Sequence, residues 1–199
     1  MALMSVRAIF WGADMATALV MIDVQMDFLH NRAAGYAWAN PDAESQIAAL
    51  LAGFRAAGLP IIHVHHHGDD LRDGFHPDNP GAAVMPCAVP AADETLIIKT
   101  GSSAFIGTNL QEHLRDQGLT TLIIAGGAAN YCVESTARMA GNLGFDTTVV
   151  GDALINFQKT LRDGRVMPAG DVLAITLATL DGEFAKIADT AQVLSAIGG

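Results

Sequence analysis

Cys132 lies in the stretch of this sequence that most favours covalent chemistry. It follows an apolar run, residues 122–125, and a run of small residues, 126–129. The apolar run predicts a buried strand, and the pattern from Tyr131 onward predicts a helix, so the thiol is placed in the first turn of that helix. Free amides and the helix dipole at such a position lower the pKa of a thiol below its ordinary value of about 8.5. Cys132 is therefore a candidate nucleophile, although many free cysteines are simply buried apolar side chains.

The small residues before Cys132 add a second element of this chemistry. Small side chains allow backbone amides to approach a ligand closely. A nucleophile with amides directed at the same place is the core of an acyl-transfer site. We expect the amides of Ala128 and Cys132 to form an oxyanion hole, which is worth about 3–4 kcal/mol per donor.

Two charged side chains end other apolar runs of the sequence. Asp23 ends residues 18–23 and Lys99 ends residues 95–99, and both runs predict buried parallel strands. A charged group at the end of a buried strand is costly unless it is paired or used. Asp23 could instead cap backbone amides of the next loop, and Lys99 could extend its ammonium group into solvent.

The predicted elements explain how these three side chains could meet. Six strands that alternate with helices predict a parallel sheet with helices on both faces. Ligands of such sheets bind outside the carboxyl ends of the strands, where Asp23, Lys99 and Cys132 are all placed. The first full helix is expected to begin with Asn40 as its N-cap. The strands are predicted at residues 18–23, 59–65, 95–99, 121–125, 145–150 and 185–189.

An acid, an amine and a thiol at one edge of a sheet can carry out nucleophilic catalysis. The thiolate would attack a carbonyl carbon, while the carboxylate of Asp23 moves the thiol proton to the leaving group and later activates water. Lys99 would hold that carboxylate ionised and add positive charge that favours the thiolate of Cys132.

Composition indicates a single globular domain over residues 17–199, preceded by an N-terminal arm, residues 1–16. Hydrophobic residues make up 51% of the 199 residues and charged residues 16%. The net charge of −10 argues against nucleic acid and anionic membranes as partners. No apolar run reaches the roughly 18 residues of a spanning helix, and the first residues make a poor signal peptide. With only Cys87 and Cys132 as cysteines, we expect a cytoplasmic protein without a disulfide.

Histidines and aspartates are dense in residues 63–76, at the start of a long loop. Imidazole and carboxylate ligands suit zinc or iron, so a metal site is one interpretation. On a strand, however, His63, His65 and His67 point to one face and His66 to the other, and tandem histidines often line a polar rim. We expect no metal and no cofactor.

Three segments, taken in order, resemble the isochorismatase-like cysteine hydrolase family: residues 19–28, 98–110 and 126–138. With residues 151–153, the resemblance extends from residue 17 to about residue 190. It implies a Rossmann-like three-layer α/β/α fold, with a six-stranded parallel sheet of order 3-2-1-4-5-6. It also implies a homo-oligomer (a dimer or tetramer) that hydrolyses a C–N bond of a small amide, urea or carbamoyl substrate.

The resemblance assigns the catalytic roles to Asp23, Lys99 and Cys132. It also implies a cis peptide bond between Gly127 and Ala128, which would turn the Ala128 amide toward the amide of Cys132. Aromatic side chains could line the substrate pocket, although aromatic residues are as often part of a core. The aromatic candidates are Phe28, Trp38, Phe105 and Tyr131.

Two departures from the family pattern narrow the expected activity. Members that cleave the vinyl ether of isochorismate typically lack the thiol, so Cys132 favours C–N hydrolysis. Nicotinamidase-like members carry an Asp-x-His metal motif where this chain has His66, His67 and Gly68. Nicotinamidase-like and isochorismatase-type hydrolysis remain alternatives, as do a phosphoacceptor signalling domain and a catalytically idle scaffold. A phosphoacceptor domain needs clustered acids to hold magnesium, and no acidic residue directly precedes Asp23.

Overall fold

The computed structural model describes residues 16–198. The predicted N-terminal arm therefore lies outside the described residues, apart from Ala16. The strands are β1 Thr17–Ile22, β2 Ile61–His66, β3 Thr95–Lys99, β4 Thr121–Gly127, β5 Asp146–Ile155, β6 Lys159–Thr160, β7 Val166–Met167 and β8 Lys186–Ala188. The α-helices are α1 Asp27–Ala33, α2 Ala43–Ala57, α3 Leu110–Asp116, α4 Glu134–Asn142, α5 Ala169–Leu180 and α6 Thr190–Ile197.

Six of these strands form one sheet of order β3-β2-β1-β4-β5-β8. Every adjacent pair in that sheet is parallel. Because β8 is the sixth strand of the sheet along the chain, this topology confirms the predicted order 3-2-1-4-5-6. The short strands β6 and β7 pair separately as an antiparallel hairpin. The change in direction of strand order falls between β1 and β4, and their carboxyl ends bound the expected ligand crevice.

The sheet separates two apolar layers, as its sequence pattern requires. All six residues of β1 are buried, and alternate side chains enter opposite cores. Apolar residues of α3, α4 and α5 pack on one face of the sheet. Those of α2 and α6 pack on the other face, so the domain has three layers. Among residues 16–198, no helix combines the length and apolar character needed to cross a bilayer.

The start of α2 differs from the sequence prediction, in which Asn40 is the N-cap. The helix begins at Ala43, and Asp42 occupies the N-cap position. The side-chain amide of Asn40 instead donates hydrogen bonds from Nδ2 to the carbonyl oxygens of Gly151, at 2.8 Å, and Leu154, at 2.9 Å. The prediction was wrong because these carbonyls in β5 are distant in sequence and compete for the same side chain.

Candidate active site

The structure brings together the three predicted catalytic side chains at the carboxyl edge of the sheet. Lys99 is the last residue of β3, and its Nζ lies 2.7 Å from Oδ2 of Asp23 and 3.3 Å from Sγ of Cys132. Asp23 directly follows β1 with a positive φ of 49°, and its amide donates to the carbonyl oxygen of Val64 at 2.8 Å. The backbone turn at Asp23 is thus fixed against the neighbouring strand β2.

Asp23 and Lys99 form a buried ion pair, since each residue is only 1% exposed. Burial of a carboxylate disfavours its charged form and raises the pKa of Asp23 to about 6. The charge and hydrogen bond of Lys99 act in the opposite direction and limit that rise. Asp23 is therefore ionised at neutral pH only because the ammonium group is beside it, which places a proton acceptor next to the thiol.

Cys132 lies in a π-helical turn, Ala129–Val133, and the α-helix α4 starts only at Glu134. The prediction of a lowered thiol pKa is wrong in this structure. Burial of the thiol, and then the nearby Asp23 carboxylate, raise the pKa of Cys132 to about 12. Lys99 opposes both effects but does not outweigh them. The thiol consequently keeps its proton until a base removes it, and Asp23 is the carboxylate placed to do so.

The turn before Cys132 has the backbone form that the resemblance implies, because the peptide bond between Gly127 and Ala128 is cis. The carbonyl oxygen of Ala128 accepts from the amides of Tyr131, at 3.1 Å, and Val133, at 3.3 Å, which closes the turn. The ring of Phe28 packs against Gly127 so closely that a Cβ there would meet it at 2.6 Å. This contact with the Phe28 ring restricts the backbone of the turn at Gly127.

Phe28 belongs to a row of aromatic rings beside the turn. Its ring contacts Phe75 edge to face at 5.3 Å and Phe157 at 6.0 Å, and Tyr36 contacts Phe157 at 6.3 Å. The row continues to His66, whose ring lies 5.7 Å from Phe75. Phe75 and Phe157 come from loops that carry no local sequence signal, so the sequence did not identify them.

The other predicted pocket residues have different environments. Tyr131 is half-exposed, with the ammonium group of Lys159 at 2.6 Å from its Oη and 4.2 Å from its ring centroid. Trp38 is buried beneath the guanidinium of Arg32. Phe105 is buried in the core and stacks on Phe145, with ring centroids 5.7 Å apart. The assignment of Phe105 to the substrate pocket stays a prediction.

The histidines of residues 63–76 do not form one site, because His63 and His66 have different partners. His63 is buried and bonds to Glu94, with 2.8 Å between Nε2 and Oε2. The side chain of His66, by contrast, reaches the active site, where its Nδ1 lies 3.2 Å from Nζ of Lys99. Within residues 16–198, no group of three or more His, Cys, Asp or Glu side chains is arranged to hold a metal ion. Cys87 and Cys132 are both free thiols.

A thiol, a carboxylate and an ammonium group at the carboxyl edge of a doubly wound sheet define a class of cysteine hydrolases with a Rossmann-like fold. Within that class, residues 17–169 match the isochorismatase domain, and the chain belongs to the isochorismatase family. The chain is therefore a hydrolase of that family, and the resemblance seen in the sequence is confirmed.

Individual relatives agree with this assignment. The chain is 38% identical over 181 residues to YrdC, an isochorismatase family protein of Bacillus subtilis, covering 89% of this chain and 94% of the relative. It is 31% identical to a maleamate amidohydrolase of Pseudomonas putida, covering 72% and 74% of the two chains. An isochorismatase-family structure from Chromobacterium violaceum aligns with a TM-score of 0.88 and 38% identity, covering 93% and 95%. A cysteine hydrolase from Pseudomonas syringae aligns with a TM-score of 0.84 and 27% identity, covering 92% and 93%.

Proposed function

We propose that this protein is a cysteine-dependent amidohydrolase that cleaves a C–N bond of a small amide, urea or carbamoyl compound. The observation that carries the proposal is the buried ammonium group of Lys99, which contacts both the Asp23 carboxylate and the Cys132 sulfur. The similarity to a maleamate amidohydrolase and to a cysteine hydrolase supports the same bond class and the same nucleophile.

The first half of the reaction forms a thioester on Cys132. Asp23 takes the thiol proton as Sγ attacks the carbonyl carbon, and the carbonyl oxygen becomes an oxyanion. The amides of Ala128 and Cys132 donate to that oxyanion and lower the barrier by about 3–4 kcal/mol each. The C–N bond then breaks while Asp23 returns the proton to nitrogen, so ammonia or an amine leaves and Asp23 is a carboxylate again.

The second half of the reaction hydrolyses the thioester. Asp23 removes a proton from a water molecule, which attacks the thioester carbon and forms a second oxyanion held by the same amides. When the C–S bond breaks, the sulfur leaves as a thiolate and takes the proton from Asp23, which restores the starting state. Lys99 keeps Asp23 ionised at the start of each half and offsets negative charge on sulfur.

A screen for ammonia release tests this function. Maleamate, other small amides, ureas and carbamoyl compounds are incubated with the wild-type protein and with Cys132→Ala at neutral pH. We expect turnover of at least one compound and a loss of at least about 1000-fold in kcat for the variant, because the nucleophile is gone. Cys87→Ala is the matched control, since Cys87 is the other free thiol and should leave activity unchanged. Full activity of Cys132→Ala would exclude the mechanism.

A further inference from the structure

The ammonium group of Lys99 has one more polar neighbour than the proposed reaction uses. Its Nζ lies 2.7 Å from Oδ2 of Asp23, 3.3 Å from Sγ of Cys132 and 3.2 Å from Nδ1 of His66. A lysine ammonium carries three N–H groups and no acceptor, so these three contacts use its full donor capacity. The first two contacts serve the chemistry of the thiol, and the third has no role in the reaction as written above.

The contact determines the protonation state of His66. Because the ammonium group can only donate, Nδ1 of His66 must accept, and the ring must be neutral with its proton on Nε2. The surrounding charges agree: burial and the positive charge of Lys99 lower the pKa of His66. Asp73, with 3.8 Å between its Oδ2 and Nε2 of His66, and Asp69 act in the opposite direction, and His67 adds to the lowering.

The backbone of His66 is held in position by the buried side chain of Gln25. Oε1 of Gln25 accepts from the amide of His66 at 2.8 Å, and Nε2 of Gln25 donates to its carbonyl oxygen at 3.0 Å. The same Nε2 also donates to the carbonyl oxygen of Ala82 at 2.9 Å. Gln25 is fully buried, and Phe75 contacts the imidazole edge to face. The oxygen and the nitrogen of the Gln25 side-chain amide thus both hold the end of β2. This fixes the backbone from which the His66 imidazole contacts Lys99.

We propose that His66 is a positioning residue whose neutral imidazole accepts the third hydrogen bond of Lys99 and so holds the ammonium group between Asp23 and Cys132. Protonation of His66 converts this contact into two donors that face each other, and Lys99 then turns away from the sulfur. His66 acts through Lys99 and does not touch the reacting atoms. The proposal rests on the proposed function for its turnover measurements, but reactivity of the thiol tests it independently.

Two substitutions separate this role from simple packing. Asparagine carries Oδ1 where histidine carries Nδ1, so His66→Asn keeps an acceptor for Lys99 but cannot be protonated in the working pH range. His66→Ala removes the acceptor. His67→Ala is the matched control, because its backbone amide, which donates to the carbonyl oxygen of Lys99 at 2.8 Å, is retained.

The first measurement is the rate of Cys132 alkylation by iodoacetamide in a Cys87→Ala background. We expect His66→Ala to react about tenfold more slowly at pH 8, because a displaced ammonium group stabilises the thiolate less and the thiol pKa rises. His66→Asn and His67→Ala should stay within about threefold of the parent protein. Equal rates for His66→Ala and the parent, or equal losses for His66→Ala and His66→Asn, would overturn the proposal.

The second measurement is the pH dependence of kcat/KM on whichever amide is turned over. Both Asp23 and His66 must be unprotonated, so log kcat/KM of the wild type should fall with a slope approaching two at low pH. His66→Asn should show a slope of one, and His66→Ala should lose about 10- to 100-fold at pH 8. A slope of two in His66→Asn would contradict the proposal. If His66→Ala does not fold, the slope of log kcat/KM against pH in His66→Asn tests the proposal. If no substrate is found, the alkylation rates of His66→Asn and His66→Ala test it.

Discussion

At the scale of single residues, one ammonium group acts on two neighbours that both favour their protonated forms. Burial makes the Asp23 carboxylate easier to protonate, and burial together with that carboxylate makes the Cys132 thiol harder to ionise. Lys99 opposes both effects from a position that is itself buried. In the proposed reaction the proton therefore stays on sulfur until Asp23 removes it during attack on the substrate.

Removing the carboxylate should separate thiol reactivity from turnover. In Asp23→Asn the charge that raises the pKa of Cys132 is gone while Lys99 remains, so the pKa of the thiol should fall. We expect faster alkylation by iodoacetamide at pH 8 than in the parent protein, together with a loss of at least about 100-fold in kcat, because no base remains to move the proton. Both proteins carry Cys87→Ala, and alkylation is followed by mass spectrometry across pH 6–10. Slower alkylation in Asp23→Asn would show that the carboxylate assists the thiolate in the free enzyme.

The three catalytic candidates could be identified from the sequence because each lies at or just past the end of an apolar strand, and parallel strands end at a common edge. The direction of the Cys132 pKa shift could not be predicted from the sequence. It depends on burial and on the approach of Asp23, which are set by the tertiary structure. The contact of His66 with Lys99 joins residues 33 positions apart and depends on the orientation of a ring at the end of β2. The sequence therefore offered His66 as a metal ligand or a rim residue rather than as a partner of Lys99.

At the scale of elements, the cysteine turn is placed by close backbone contact between β1 and β4. Gly126 in β4 has a positive φ of 113°, and a Cβ at this position would lie 2.1 Å from the carbonyl oxygen of Ile22 in β1. These two residues are paired in the sheet register, so the contact cannot be relieved by a side-chain rotation. Glycine at 126 thus lets β4 pass the end of β1 and deliver the turn beside Asp23.

Gly126→Ala should destabilise the protein through this backbone clash. Gly35→Ala is the matched control, because Gly35 has a similar φ of 101° but no heavy atom within 4 Å of the place where the added methyl group would lie. We expect Gly35→Ala to lower the free energy of unfolding by about 1–2 kcal/mol, from conformation alone. Gly126→Ala should lower it by at least about 2 kcal/mol more, measured by urea denaturation. Equal costs for the two variants would mean that β1 and β4 can separate without penalty.

Several secondary-structure elements could not be predicted from the sequence pattern. The helix α1 and the hairpin of β6 and β7 were not predicted, because seven- and two-residue elements are too short for a hydrophobic period to be distinctive. The helix after Cys132 was predicted, but its π-helical first turn depends on the backbone hydrogen bonds to Ala128. In contrast, the continuous apolar run of β1 and the amphipathic period of α2 located these two elements closely. The strand predicted at residues 145–150 continues to Ile155, beyond the end of its apolar run.

At the scale of the whole molecule, the sheet order and the three layers followed from the alternation of strands and helices. Assembly did not follow from any pattern within one chain, so the homo-oligomer stays a prediction. The absence of a metal requirement also stays a prediction, and it rests on His66 being engaged by Lys99 and on Gly68 standing where the nicotinamidase-like motif has histidine.

Chelation provides the direct test of metal independence. We expect dialysis against EDTA and 1,10-phenanthroline to leave kcat and KM within about twofold of the untreated enzyme, because the proposed chemistry uses side chains, backbone amides and water. Zinc or iron is then added back to the dialysed protein as the control. Loss of activity on dialysis with recovery on addition of one metal would contradict the prediction and direct attention to His66 and His67.

The position of Lys99 on an edge strand affects how the activity of the enzyme depends on temperature. β3 is an outermost strand of the six-stranded sheet and is only five residues long, whereas Asp23 and Cys132 adjoin the central strands β1 and β4. Outer strands fray at lower free energies than the centre of a sheet. Each fraying event withdraws the ammonium group that lowers the pKa of Asp23, so Asp23 takes up a proton and no longer serves as a base. We therefore expect activity to fall on warming at temperatures where the central strands of the sheet are still folded.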